Sequence, residues 1–408
     1  MRRMARRALI IGGSVGGLIA GSLLRGIGWD VAIFERVPED LAGRGAGLGL
    51  SAELVAVMRR AGARIDPSIA VPVPLLHWIE PDGTIVHEDR RGWFTSSWQR
   101  LYRPLRDAVP DAIYHPGRAL ERVEQETNGV TAIFSDGARE TGDVLVAADG
   151  VYSTVRRQYL PEIEPRYSGY VAWRGILEER DIDPRDHAQL YAALSYCAPE
   201  RELILCMPNP GAGDDVRPGH RRYYFIWYRP ADAAQLADLC TDASGRNHGL
   251  GIPPPLIRPE IVAGLKADAA RLLPPRLARV VERVPQLLLQ PITDLEVPRM
   301  VWGRAALLGD AAFVARPHVV AGATKVALDA ACLADALAAT DDIDAALAHY
   351  ERERLAWGKA LVEHSRFLGT FVGAPSGSAA RRAPADYLRD YGAPHLIHNP
   401  TLQDLRAG

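Results

Sequence analysis

Lysine is nearly missing from this 408-residue chain: it occurs only at Lys266, Lys325 and Lys359, so arginine carries almost all of the positive charge. Cysteine is sparse as well. The 4 cysteines, Cys197, Cys206, Cys240 and Cys332, form no C-x-x-C pair, which argues against a disulfide framework or a metal-binding set and fits free thiols in a reducing, cytoplasmic compartment. Neither sign of charge dominates. A formal net charge of -2 leaves no global field to attract nucleic acid or a membrane surface. No apolar run approaches the roughly 20 residues that cross a bilayer. The basic start, Met1 to Arg7, has the charge of a leader's first region, but the apolar run behind it breaks at Gly12 and Gly13 and reads as a strand and turn. With 48% apolar residues the chain is long enough for two packed cores, and a small molecule is its expected partner.

The run Ala8 to Ile11, the turn Gly12-Gly-Ser-Val-Gly-Gly17, the helix-like Leu18 to Arg25 and the strand-like Asp30 to Glu35 form the opening of a βαβ unit. Gly12 suits the tight turn, Ser14 is small enough for backbone to approach a pyrophosphate, Gly17 lets the helix approach the sheet, and Gly16 is counted with them as cofactor-binding. Phosphate would meet the free amides and positive dipole end of the helix. Glu35 ends the second strand where a carboxylate can bind a ribose hydroxyl, with Arg36 beside it, so an adenosine cofactor is expected. The loop alone does not separate FAD from NAD.

Ser51 predicts a helix cap, with the helix running through Ala61. Pro81-Asp82-Gly83 between two short apolar runs predicts a hairpin that opens a second, antiparallel sheet, with Gly169–Gly175, 188–197, 202–208 and 222–229 as further strands. The chain returns to the nucleotide fold at Asp143 to Asp149 and again at Arg304 to Gly309. The expected architecture is therefore α/β: a discontinuous Rossmann-like FAD-binding domain (1–72, 99–166 and 295–373, the last with long helices), an inserted antiparallel β-sheet substrate domain (73–98 and 167–294), and a C-terminal helical region ending in an arm at 374–408.

Two further segments are more specific. Ala148-Asp149-Gly150 with Ser153, Val155 and Arg156, and Leu308-Gly309-Asp310-Ala-Ala312 with Pro317 and Gly322, join Gly12 to Gly17 in a pattern that resembles the three fingerprints of the flavoprotein aromatic hydroxylases, the p-hydroxybenzoate and salicylate hydroxylase family. The strings Gly-Tyr-Val-Ala-Trp-Arg-Gly (169–175) and Gly309 to His318 look most like the 2,6-dihydroxypyridine 3-hydroxylase branch. The resemblance covers nearly the whole chain. It implies that Glu35 holds the adenosine ribose, that Asp310 holds the ribityl chain, and that Asp149 with Arg156 organises the loop between the flavin and NAD(P)H sites. It also implies a homodimer, and a cycle in which NADH or NADPH reduces FAD and O2 reaches a small aromatic ring through a C4a-hydroperoxyflavin. No metal is required.

Gly322, Ala323 and Thr324 start a helix whose dipole suits the flavin pyrimidine edge, while Lys325 reads as solvated. Tyr102 stands where many relatives carry a flavin-contacting arginine. Arg44 and Arg118 are the candidate substitutes, and Pro317 turns the chain toward the flavin. His318 either meets a substrate oxygen or packs internally. Trp173, Tyr191, Tyr196, Tyr224 and Tyr228 are the strand aromatics that could face the ring, with His318 and Tyr224 the candidate catalytic groups. An FAD-fold reductase or dehydrogenase, and a non-catalytic flavin-fold binding protein, are the alternatives.

Overall fold

The computed structural model describes residues 6–41 and 47–406. Arg7–Ile11 lies at the centre of a six-stranded sheet ordered Val301–Trp302, Ala305–Leu307, Val144–Ala147, Arg7–Ile11, Asp30–Glu35, Tyr114–Pro116. Every neighbouring pair is parallel except the first. Such strands are buried on both faces, which is why they read as unbroken apolar runs. Ile10 faces the helix Val15–Gly26, while Leu9 faces Gly142 in the small antiparallel sheet formed by Leu120–Glu126, Gly129–Phe134 and Arg139–Gly142.

Parallel pairing puts the carboxyl ends of these strands along one edge. There the Gly12 amide donates to the Phe34 carbonyl at 2.8 Å, the Ala148 amide to Ile11 at 2.8 Å and the Leu308 amide to Ala147 at 2.9 Å. The three motif segments thus converge where ligands of open α/β sheets bind.

The second sheet has eight strands, ordered Phe313–Val314, Leu287–Glu296, Arg166–Glu178, Arg222–Pro230, Leu203–Asn209, Ala193–Cys197, Leu75–Ile79, Ile85–Asp89. It is antiparallel except where Ala193–Cys197 runs parallel to Leu75–Ile79. The stretch expected as a strand over 188–197 starts instead inside a helix, Pro184–Ala192. Asp183 caps that helix by accepting from the Arg185 amide at 3.1 Å, and a proline sits at its first turn. Ser51 does cap Ala52–Arg60, accepting from the Leu54 amide at 3.1 Å.

Strand alternation assigns the faces of the second sheet. Tyr223, Phe225 and Trp227 point into a core shared with the helices Pro259–Leu272 and Pro275–Arg283. Ile226 and Tyr228 point the other way, into a core that also holds Leu361 and Leu368 of the helix Ile343–Gly369 together with Tyr387, Leu388 and Tyr391 of the C-terminal arm. That arm, expected at 374–408, is packed on its own chain.

Candidate active site

One cavity of about 880 Å³ runs from the Gly-rich loop to the second sheet. Gly12, Ser14, Gly16, Glu35, Arg36, Arg118, Asp149, Asp310, Pro317, Gly322 and Ala323 all line it. Gly17 does not; it acts at one remove. A Cβ there would collide with the Gly12 carbonyl, so only glycine lets the helix sit this close to the turn, and Gly12 itself takes φ +107°. Arg44 lies outside the described residues.

The cavity is built to receive hydrogen-bond acceptors at two places. Among the described residues no side chain caps the helix Val15–Gly26 and none caps Gly322–Ala339, so the first-turn amides of both are open to a ligand. Between them the buried Asp149 Oδ1 has no hydrogen-bond partner among the described residues, whereas Oδ2 accepts from the Thr154 amide at 2.8 Å. Burial pushes the Asp149 carboxyl up. An orphaned acceptor beside two sets of free amides fits a ligand that carries hydroxyls and phosphates together. Glu35 is less free: its two oxygens accept from the Gly13 amide at 2.8 Å and the Val37 amide at 2.9 Å. These bonds fix the carboxylate at the cavity wall and leave lone pairs for a ribose.

Buried side chains hold the loops in place. The Arg156 guanidinium donates to the carbonyls of Val151 at 2.6 Å and Ala311 at 3.1 Å, tying the Asp149-Gly150 turn to the Gly309-Asp310 turn. Asp329 accepts from the Gly309 amide at 3.0 Å and from Arg354 Nε at 2.7 Å. Lys325, read as solvated, is buried; its Nζ lies 2.5 Å from Asp310 Oδ1 and also donates to the Phe313 carbonyl.

Several expected residues are not brought to the cavity. Thr324 is buried against Ser51, with the hydroxyls 2.9 Å apart. His318 is fully buried between Tyr170, 2.9 Å from its Nε2, and Tyr387, 3.3 Å from its Nδ1, and burial pushes its pKa down to about 3. A neutral histidine locked between two hydroxyls, away from the cavity, organises the packing; Pro317 and Val319 on either side line the cavity instead. Tyr224 sits on the cavity side of its strand but does not line the cavity, whereas Tyr228 does. Trp173 and Tyr191 lie in the core on the opposite face, and Tyr196 stacks on Trp78 with centroids 5.9 Å apart. Tyr102 is buried, stacked on Trp98 at 4.8 Å.

Sequence reasoning missed Arg174, Gln290 and Tyr391, which line the sheet end of the cavity with Leu194, Leu205, Met207 and Ile226. A charged residue in the middle of an otherwise apolar strand was the available signal for Arg174.

The chain is 30% identical over 356 residues to the 2,6-dihydroxypyridine 3-monooxygenase of Paenarthrobacter nicotinovorans, covering 87% of this chain and 88% of that protein. It belongs to the FAD-dependent aromatic monooxygenases. In the same family, the structure of 2,6-dihydroxypyridine-3-hydroxylase from Arthrobacter nicotinovorans superposes with a TM-score of 0.84 at 28% identity, over 92% of this chain and 96% of that one. Klebsiella pneumoniae HpxO complexed with FAD and uric acid superposes with a TM-score of 0.73 at 25% identity, over 94% and 92% of the two chains. A family model described as FAD binding domain-like matches residues 167–294. The α/β fold, the flavin-dependent chemistry and the aromatic hydroxylase family expected from the three fingerprints are thereby established. Among the described residues no helix is long and apolar enough to cross a membrane.

Proposed function

We propose that this monooxygenase uses NADH or NADPH and O2 to hydroxylate an electron-rich ring, phenolic or hydroxypyridine-like. The observation that carries the reading is the single cavity joining the Gly-rich loop to an apolar pocket on the second sheet. The residues that would hold FAD are Gly12, Ser14 and Gly16 at the pyrophosphate, Glu35 with Arg36 at the adenosine, and Asp149, Asp310, Pro317, Gly322 and Ala323 at the ribityl chain and ring; Arg118, expected at the flavin, has its amide 2.8 Å from the Glu35 carbonyl and so would meet the adenosine end instead. When bound, FAD supplies electron transfer and oxygen activation. The chain's own part is positioning and water exclusion: Leu194, Leu205, Met207 and Ile226 give the substrate a dry wall. Tyr228 and Tyr391 face that space with hydroxyls that burial pushes up, Tyr391 to about 12, so near neutrality they act as neutral hydrogen-bonding groups.

The relative from Paenarthrobacter is named for a dihydroxypyridine and the Klebsiella structure holds uric acid, which supports a nitrogen heteroaromatic substrate. The strands of the first sheet are read as one nucleotide domain interrupted by the substrate sheet. Four unpaired cysteines fit a reducing, cytoplasmic location, and a homodimer, assigned from the family resemblance, is checked by light scattering. The functional test is a panel of phenols and hydroxypyridines scored for accelerated NAD(P)H loss and, by mass, for oxygenated product. We expect yellow, FAD-containing protein and a monohydroxylated heteroaromatic. NAD(P)H loss that yields only peroxide across the panel overturns the substrate class.

A further inference from the structure

Arg174 lies in the middle of the strand Arg166–Glu178, opposite Ile226 on one neighbouring strand and Leu288 on the other. It lines the sheet end of the cavity. Among the described residues it forms no ion pair and no hydrogen bond, and its Nε is buried without a partner. Other buried or half-buried arginines of this region are bonded through at least one guanidinium nitrogen, although Arg156 Nε and one Arg354 Nη also lack a partner among the described residues. Arg316 donates to Asp294 at 2.8 Å, Arg354 to Asp329 at 2.7 Å, and Arg156 to two carbonyls. The titratable groups that act on Arg174 are the hydroxyls of Tyr224, Tyr228 and Tyr391, all of which burial keeps neutral.

A guanidinium does not give up its charge when buried, so it must be paired or it destabilises the fold. A structural role would leave it bonded to a carboxylate or carbonyl, and none is present among the described residues. The charge is then left to cavity water or to a ligand, and the walls beside it are apolar. A flat ring carrying one anionic oxygen group has the matching chemistry: apolar faces for Leu194, Leu205 and Met207, and a planar acceptor for the fork of N–H groups.

We propose that Arg174 binds an anionic oxygen substituent of the aromatic substrate, so that this site selects rings bearing an oxyanion or a carboxylate over neutral rings of the same shape. The assignment rests on reading the sheet end of the cavity as the place where the ring is hydroxylated. An oxyanion on the ring also raises the electron density that hydroxylation needs, so the residue that selects the ring would select for reactivity as well.

The test uses the FAD-loaded enzyme as wild type, Arg174→Gln and Arg174→Lys, with binding measured by titration calorimetry so that turnover is not the readout. The probes are benzoate against benzamide, and pentafluorophenol, which is ionised at neutral pH, against pentafluoroanisole. In the wild type each anion should bind more tightly than its neutral partner. R174Q should weaken the anions about thirtyfold or more, the loss expected when one member of a buried charge pair is removed, and should leave the neutral rings within about threefold. R174K should keep part of the preference. The anion that shows this dependence identifies the group as oxyanion or carboxylate.

Equal loss for anions and neutral rings, or unchanged anion binding in R174Q, overturns the assignment. If R174Q does not fold, the wild-type comparison decides on its own: no preference for either anion over its neutral partner is equally fatal. Wild-type enzyme that binds anions through Arg174 yet oxygenates no ring in the panel would instead refute the ring-hydroxylation reading and leave the anion site standing.

Discussion

Replacing the two members of the Lys325–Asp310 pair should have unequal effects. The Lys325 side chain is 1% exposed, whereas that of Asp310 is 47% exposed toward the cavity. Asp310→Asn leaves a buried ammonium with only neutral partners, the Phe313 carbonyl and the new amide oxygen. Breaking a buried pair by removing one partner costs about 3–5 kcal/mol, and the surviving carbonyl places this case near the low end, at about 3 kcal/mol. Lys325→Met removes the buried charge itself and fills the same channel with an unbranched apolar chain, while Asp310 can be hydrated from the cavity. That cost should stay near or below about 1 kcal/mol. Urea unfolding of both variants without FAD reads the difference directly, because loss of cofactor affinity then makes no contribution through linkage. If Lys325→Met falls as far as Asp310→Asn, the pair exists for the carboxylate and the burial argument is wrong.

Gly17→Ala should fold but retain little FAD, because the new Cβ meets the Gly12 carbonyl and pushes the helix off the turn; FAD content and flavin fluorescence on titration check this. Glu35→Ala strands the amides of Gly13 and Val37 and should cost about 1–3 kcal/mol per buried donor, seen as a lower melting temperature together with weaker FAD binding. His318 stays neutral in the folded chain down to about pH 3, while the unfolded chain protonates it near the ordinary 6.5. Across that window the unfolded state holds the extra proton, so stability is lost as the pH falls, by at most about 1.4 kcal/mol per unit. His318→Gln should flatten the acid limb of a urea-midpoint profile between pH 6 and 4; an acid limb identical to that of the wild type would show that His318 does not titrate as its burial requires.

The outcome for individual residues follows from what each depended on. Gly12, Ser14, Gly16, Glu35 and Asp310 reach the cavity because their positions are set by chain-local rules: a turn after a strand, a helix start, the carboxyl end of a parallel strand. His318 and Thr324 miss it by rotation. Each lies beside residues that do face the ligand, Pro317 and Val319 in one case, Gly322 and Ala323 in the other. Within a tight turn or the first turn of a helix, one residue of phase decides between ligand and core, and no periodicity is long enough there to set that phase. Tyr224 fails differently. It has the correct face, but the cavity ends at Ile226 and Tyr228, and where a strand meets its ligand is fixed by the neighbouring strands.

Lys325 and Arg174 show a further limit, because their meaning lies in partners. Lys325 looked solvated only because Asp310, fifteen positions earlier, gave no local sign of folding back onto it. Arg174 stands inside the very string, Gly169 to Gly175, that matched the family, yet the string says nothing about which carboxylates lie nearby. A motif can be recognised from a few adjacent residues. An unpaired charge is established only when every group around it has a known place, so the residue most informative about the substrate is the one that sequence alone could least distinguish from a surface arginine.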